Sequence, residues 1–169
     1  NLNLKVKFRE SFRPFAPSIL LQDVSDWFDF TGVSPYMLMV SNVVKEKCIK
    51  MNSEEKKLFG IEKLNLKRSE IPSVTHVDYS SRIQTVDGKY NPRYYNLLSK
   101  FKEKTSCPIL INTSFNIRGE PIVNTPTDAF RCFMSTEMDY LVVGDFVYCK
   151  TEQANWENKE RWKVNFKKD

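Results

Sequence analysis

The stretch PILINTSFNIRG, residues 108–119, decides the fold, because it joins a short apolar run to a polar loop between two well-marked helices. Its apolar residues predict a central strand, and the polar residues follow at the carboxyl end of that strand. Asn91 followed by Pro92 predicts a helix start before this stretch, and Thr125 with Asp128 predicts another after it. The succession of strands and helices predicts an α/β or α+β fold with a mixed sheet.

Weaker patterns complete the prediction. Residues 12–21 are apolar but contain two prolines, which favour an edge strand or an extended segment. Residues 36–44 read as a buried strand. Two short strands at 74–77 and 82–86, a short amphipathic helix at 23–29, and a strand pair around a turn at 144–145 are also expected.

The 169 residues carry 26 basic and 21 acidic side chains, and 41% of them are hydrophobic. This composition excludes disorder for most of the chain, and no apolar run approaches the roughly 20 residues that a membrane-spanning helix needs. We predict a single domain over residues 1–150. Within it, residues 45–73 form a polar insertion with one short helix, which Ser53 could cap, and residues 151–169 form a charged tail with two tryptophans.

The four cysteines are far apart, and the chain has one histidine. This spacing makes a structural zinc site or a disulfide framework improbable, and it is typical of free thiols in a cytoplasmic protein. The chain begins with Asn1 and lacks the apolar core of a signal peptide, so we expect it to be part of something longer.

A net charge of +5 suits anionic partners such as nucleotides, phosphorylated metabolites or RNA. In a strand over residues 7–13, alternation would place Lys7, Arg9, Ser11 and Arg13 on one face, where their charges could bind a phosphate. Alternatively, the segment is an exposed edge strand whose charges discourage aggregation.

Two further segments could bind ligands. Ser114, Asn116 and Arg118 belong to the loop after the predicted central strand, where open α/β sheets bind ligands. That loop could equally be a turn that satisfies only its own backbone. His76 and Arg82 flank a short polar turn and could donate to a phosphate or carbonyl oxygen, although a lone histidine is usually structural.

A larger set of motifs resembles one family, the carboxy-terminal domain of NodU/CmcH-type O-carbamoyltransferases, over residues 5–149. The motifs are, in chain order, K-x-R-E-x-F-R-P-F-A-P-S at 7–18, S-P-Y-M at 34–37, T-H-V-D at 75–78, R-I-Q-T-V at 82–86, N-P-R-Y-Y at 91–95, N-T-S-F-N-I-R-G-E-P-I-V at 112–123, T-P-x-D-A at 125–129 and D-Y-L-V-V-G at 139–144. The segment 45–70 looks longer than the corresponding connection in that family.

The resemblance implies a YrdC-like twisted mixed sheet flanked by helices. It also implies that the domain makes carbamoyl adenylate from carbamoyl phosphate and ATP, with Mg²⁺ on the triphosphate. An amino-terminal actin/Hsp70-like domain, absent here, would transfer the carbamoyl group to a hydroxyl of a sugar, antibiotic or polysaccharide precursor. That domain would also hold the family's iron, so we expect no metal site in this chain.

The resemblance also assigns roles to individual residues. Those expected to take part in catalysis are Lys7, Arg13, Arg82 and Ser114, and those expected to bind the substrates are Arg9, His76, Asn116 and Arg118. The glycine- and arginine-rich stretch that precedes this domain in the family is missing from this sequence, along with an arginine expected to reach the same pocket. Two alternatives stay open on other grounds. The chain could be an RNA-binding YrdC-like module, or a non-catalytic scaffold that docks its amino-terminal domain.

Overall fold

A computed structural model describes residues 2–154, which divide into two units. The sheet unit comprises Pro14–Thr113, and the hairpin unit comprises the described parts of Asn1–Arg13 and Ser114–Asp169. From residue 155 onward, the predicted tail with Trp156 and Trp162 lies outside the described residues.

The sheet unit is built on four strands, and their arrangement confirms the predicted mixed sheet. The strands are β1 (Ala16–Leu20), β2 (Met39–Asn42), β3 (Ser80–Val86) and β4 (Ile109–Asn112), in the spatial order β2-β3-β1-β4. β1 runs parallel to β3 in the register Ser18↔Gln84, whereas β4 is antiparallel to β1 and β2 is antiparallel to β3. The amino-terminal ends of β1 and β3 therefore lie at the same end of the sheet as the carboxyl end of β4.

The sheet unit also contains the α-helices α1 (Val24–Trp27), α2 (Ser53–Lys57), α3 (Gly60–Leu64) and α4 (Pro92–Thr105). The Asn91 cap is confirmed, since its side chain accepts a hydrogen bond from the amide of Tyr94. Leu98 of α4 is fully buried and packs with Leu20 and Val86 of the sheet. Among the described helices, none combines the length and apolar character needed to cross a membrane.

The order of the strands corrects two expectations. β4 lies at an edge of the sheet, whereas β1, which contains Pro17, is an inner strand. β1 tolerates Pro17 because the β1–β3 ladder begins one residue later, at Ser18, so the missing N–H falls at the ladder's end.

The prediction of a buried strand over residues 36–44 is wrong, because β2 is the other edge strand and Met39 and Val40 are exposed. Two strands were expected, at 74–77 and 82–86. Residues 72–74 form a 3₁₀ turn instead, and only the second expected strand is found, as part of β3. In the segment 45–73, Asn52 rather than Ser53 caps α2, with a capping box to Glu55, and α3 follows.

The hairpin unit contains α5 (Pro126–Ser135) and the antiparallel pair β5 (Tyr140–Val143) and β6 (Phe146–Cys149), as predicted. Thr125 caps α5 and forms a capping box with Asp128. The core of this unit consists of Ala129, Phe133, Met134 and Leu141.

At the start of the chain, residues 3–7 form a π-helical turn and Phe8 is left-handed, with φ of 50°. The prediction of a strand over residues 7–13 is therefore wrong. Alternation along an extended chain does not explain how these cations are arranged.

Candidate functional site

Lys7 is the centre of the site in the hairpin unit. Its side chain is buried, with 4% of the residue exposed. The ammonium donates hydrogen bonds of 2.7 Å to the backbone oxygens of Ser114 and Asn116 and to Oδ1 of Asn116. Because an ammonium carries three protons, these three acceptors use all of them. Lys7 therefore fixes the shape of the segment 114–116.

The surroundings of Lys7 disfavour its charged form. Burial lowers the pKa of Lys7 to about 8, and the positive charge of Arg9 lowers it further in the same direction, while Cys132 and Glu120 oppose the shift. Lys7 therefore loses its proton at a lower pH than an exposed lysine does.

Asn3 organises the turn that carries the arginines, and sequence reasoning missed it. Its buried amide nitrogen donates to the backbone oxygens of Ser11 and Arg13, at 3.2 and 2.7 Å, and its Oδ1 accepts a 2.7 Å hydrogen bond from Nε of Arg9. No local pattern marks this asparagine, because its partners lie six to ten residues away along an irregular turn.

Three arginines surround this part of the unit. Burial lowers the pKa of Arg9, and the charge of Arg13 lowers it further, so these two guanidinium groups are close enough to repel each other. The Arg118 amide donates to the Lys7 carbonyl at 3.1 Å, and its guanidinium contacts Glu10 at 3.5 Å. Such a concentration of positive charge favours the binding of an anion.

Glu120 stabilises the loop through hydrogen bonds, and sequence reasoning also missed this residue. Only 8% of it is exposed, and its Oε2 accepts a 2.9 Å hydrogen bond from the amide of Ile117. Its backbone oxygen accepts from Nδ2 of Asn116 at 2.8 Å. The thiol of Cys132 lies close to this carboxylate. Burial, followed by the charge and hydrogen bond of Glu120, raises the pKa of Cys132 to about 12.

His76 and Arg82 belong to the sheet unit. Nδ1 of His76 lies 3.0 Å from Oγ of Ser80, and that hydroxyl donates to Asp78 at 2.7 Å, so Nδ1 is the donor to Ser80. These hydrogen bonds from Ser80 also lower the pKa of Asp78. Arg82 lies on β3 and is exposed. The six other predicted site residues belong to the hairpin unit.

The comparisons with known proteins identify the family. The sequence profile described as "Carbamoyltransferase C-terminus" matches residues 1–150. The chain belongs to this family. Nodulation protein NolO of Bradyrhizobium diazoefficiens is 40% identical over 149 residues, which cover 88% of this chain and 24% of NolO. The 3'-hydroxymethylcephem-O-carbamoyltransferase of Streptomyces clavuligerus is 34% identical over 143 residues, covering 85% and 23% of the two chains.

A third relative, the uncharacterized protein sll1178 of Synechocystis sp., is 56% identical over 168 residues, or 99% of this chain and 27% of that protein. The chain thus spans about a quarter of the length of these relatives.

Within this domain, the hairpin unit offers guanidinium, amide and hydroxyl groups, which are the groups that bind phosphate oxygens in proteins. In the described part of the chain, no group of three or more His, Cys, Asp or Glu side chains lies together as a metal site.

Proposed function

We propose that this chain is the part of an O-carbamoyltransferase that forms carbamoyl adenylate from carbamoyl phosphate and ATP. The cluster of Arg9, Arg13 and Arg118 around the segment held by Lys7 is the observation that carries the proposal. Both substrates are multiply charged anions that repel each other, so a site that brings them together needs several cations.

In this proposal the arginines bind the phosphates, and Lys7 acts mainly through the loop. Its three N–H groups already donate hydrogen bonds to protein oxygens, so a ligand could accept one only if Ser114 or Asn116 were released. The hydroxyl of Ser114, which is exposed and donates to Oδ1 of Asn116 at 2.7 Å, is placed to exchange that partner for a substrate oxygen. His76 and Arg82, to which the family resemblance also assigns substrate or catalytic roles, belong to the sheet unit, and the part of Arg82 is tested separately by substitution.

The chemistry consists of two steps. Water first cleaves carbamoyl phosphate into carbamate and inorganic phosphate. An oxygen of carbamate then attacks the α-phosphorus of ATP, the bond between the α-phosphorus and the bridging oxygen breaks, and pyrophosphate leaves with the electron pair. Mg²⁺ enters as part of the substrate, Mg-ATP. Guanidinium groups would stabilise the charge that develops on the phosphoryl oxygens, and positioning would supply much of the rate.

The remainder of the longer protein would then transfer the carbamoyl group to a hydroxyl acceptor. The name of the Streptomyces relative, a cephem O-carbamoyltransferase, supports this part of the proposal, as does the length of the relatives. The acceptor is expected to be a sugar, antibiotic or polysaccharide precursor, and its recognition would belong mainly to that other part.

Calorimetric titration with Mg-ATP and with carbamoyl phosphate tests the proposal. We expect saturable binding of about one equivalent of each, lost or strongly weakened in Arg13→Ala, Arg82→Ala and Ser114→Ala. Lys5→Ala is the matched control, because Lys5 is a cation of the same segment whose exposed side chain pairs with Glu137 at 2.8 Å.

Equal affinities in the wild type and the three site variants would contradict the proposal. Should the wild-type chain bind neither substrate, the titration is repeated with the upstream segment of a relative restored, and a second failure would also contradict it. Salt-sensitive binding of RNA without saturable binding of ATP would favour the RNA-binding alternative instead.

A further inference from the structure

A tight turn at residues 117–120 separates two charged side chains of the hairpin unit. The amide of Glu120 donates to the backbone oxygen of Ile117 at 3.2 Å, and Gly119 has φ of 77°. A positive φ at the third position of a turn is typical of type II turns and favours glycine. Arg118, before this glycine, is exposed, whereas Glu120, after it, is buried. The turn thus carries a carboxylate into the unit, where a charge without partners would be unfavourable.

The buried residue Glu120 bonds back to the loop that precedes it. Its Oε2 accepts a hydrogen bond from the Ile117 amide at 2.9 Å, and its backbone oxygen accepts one from Nδ2 of Asn116 at 2.8 Å. Lys7 binds the same asparagine through Oδ1 and through its backbone oxygen. Asn116 is therefore held by a donor, Lys7, and by an acceptor, Glu120.

These contacts fix the orientation of the Asn116 side-chain amide. A side-chain amide has a donor nitrogen and an acceptor oxygen, and here each meets a group of the opposite kind. The reversed amide would place Nδ2 against the ammonium of Lys7, which is also a donor. In the observed orientation, Oδ1 accepts the 2.7 Å hydrogen bond of the Ser114 hydroxyl. The direction of this hydroxyl therefore depends on Glu120, through Asn116.

Glu120 also supplies a charge that opposes the effect of burial on Lys7. Burial and the charge of Arg9 lower the pKa of Lys7, and Cys132 and Glu120 act in the opposite direction. The thiol of Cys132, on α5, has a pKa raised to about 12, a shift that Lys7 and Lys150 oppose. The thiol is therefore neutral between pH 7 and 9. Of the two groups that favour the ammonium, the Glu120 carboxylate is the one that carries the negative charge.

We propose that Glu120 is a positioning residue of the proposed phosphate-binding site. It keeps Lys7 charged, and through the turn it holds the amide of Asn116. It acts on a bound anion only through these two residues. This inference rests on the proposed function, because it takes the anion of the site to be a phosphate group.

The test compares the wild type with Glu120→Gln between pH 6 and 9. Glutamine has a similar shape, and its oxygen can still accept from the Ile117 amide, so this variant removes the charge and keeps the hydrogen bond. Glu137→Gln is the matched control, because Glu137 is an exposed carboxylate of the same unit that pairs with Lys5. A thermal unfolding curve establishes that each variant is folded.

Two quantities are measured at each pH. Heteronuclear NMR of the lysine side chains follows the protonation of Lys7, whose signal is assigned by its absence from Lys7→Met. Calorimetry gives the affinity for inorganic phosphate. Because phosphate itself titrates in this range, the compared quantity is the ratio of the affinities of variant and wild type at the same pH.

We expect the Lys7 titration of Glu120→Gln to have its midpoint on the order of one pH unit below that of the wild type, because an opposite charge no longer favours the ammonium. At pH 6, where Lys7 is largely charged in both chains, the variant should bind phosphate at least as tightly as the wild type. At pH 8 it should bind several-fold more weakly. Glu137→Gln should match the wild type throughout.

A second variant tests the hold on the loop. Glu120→Ala loses the charge and also the hydrogen bond to the Ile117 amide. It should therefore bind phosphate more weakly than Glu120→Gln even at pH 6. Equal affinities of the two variants at pH 6 would contradict the part of the proposal that concerns the loop.

The outcomes separate this inference from the proposed function. If the wild type binds phosphate and Glu120→Gln has the same Lys7 midpoint and a ratio of affinities that does not change with pH, Glu120 is only structural. The positioning role is then refuted and the proposed function stands. If the wild type binds no phosphate at any pH, the anion site is refuted and both proposals fall.

Discussion

Raising the pH from 7 to 9 should remove the proton of Lys7 from most folded molecules, whereas Lys7 should stay protonated in most unfolded molecules. Burial lowers the pKa of this lysine to about 8, from its ordinary value of 10.5. Between the two values the unfolded chain binds more protons than the folded chain, so the free energy of unfolding rises with pH. Proton linkage gives a gain of about 1.3 kcal/mol from pH 7 to pH 9.

Urea unfolding of the wild type and of Lys7→Met at the two pH values measures this gain. Methionine has a similar length and does not titrate, so the pH response of the wild type minus that of the variant isolates Lys7. Cys132 opposes the trend, because its pKa is raised to about 12 and its unfolded thiol loses a proton near pH 9. Both chains contain Cys132, so its contribution largely cancels.

The stability of Lys7→Met at a single pH would not show whether the pKa of Lys7 is lowered. The substitution removes a buried charge, but it also leaves three oxygens without their donor, at about 1–3 kcal/mol for each buried one. These effects oppose each other. Only the pH dependence separates them.

Anion binding should respond to pH in the opposite direction. Between pH 7 and 9 the wild type loses the charge of Lys7 and one donor to the segment 114–116, so its affinity for phosphate should fall while its stability rises. Lys7→Met should lack both responses over this interval. Identical pH responses of stability in the two chains would refute the assignment of a shifted buried ammonium.

Three further predictions concern the support of the site. Asn3→Ala removes three hydrogen bonds and should lower the free energy of unfolding by about 2 kcal/mol and weaken phosphate binding, as urea unfolding and calorimetry would show. Asn3→Asp should keep the Arg9 bond, and its phosphate affinity should lie between the two. Thr125→Ala should destabilise the chain by about 1 kcal/mol in urea, whereas Thr125→Ser should be close to neutral. The Thr125 hydroxyl lowers the pKa of Asp128, so stability from this carboxylate is present above its ordinary value of 3.8 and lost as the pH falls further. Acid unfolding of Asp128→Asn should lack that loss.

The elements that sequence predicted correctly are those specified locally. Asn91 and Thr125 mark their helices because a cap depends on residues within one turn. The hairpin around residues 144–145 is equally local, because a tight turn joins two adjacent strands. These features depend little on where the rest of the chain packs.

The errors concern positions in the sheet. The apolar run at 108–111 is compatible with an edge strand as well as with a central strand. Periodicity indicates which side chains are buried, but it does not indicate how many strands lie beside the segment. Pro17 suggested an edge, yet only its position at the end of a ladder decides whether the missing N–H is harmful. Both facts depend on contacts between distant segments.

The candidate site was predicted in part, for a related reason. Charged residues such as Lys7 and Arg13 stand out in a sequence, and so does a loop with Ser114 and Asn116. Asn3 and Glu120 do not stand out, because their role depends on a left-handed turn at Phe8 and on a buried carboxylate, neither of which has a sequence pattern.

The cations of the hairpin unit also differ in what they can do, although they look equivalent in sequence. The buried ammonium of Lys7 donates each of its three hydrogen bonds to a protein oxygen, so a ligand gains from its charge and from the loop shape that it holds. Arg13 and Arg118 are exposed, and a guanidinium has five N–H donors in a fixed plane, which suits direct binding of a phosphate. Substitution of Lys7 should therefore alter the geometry and pH dependence of binding, whereas substitution of an exposed arginine should remove a contact and leave the pH dependence between 7 and 9 intact.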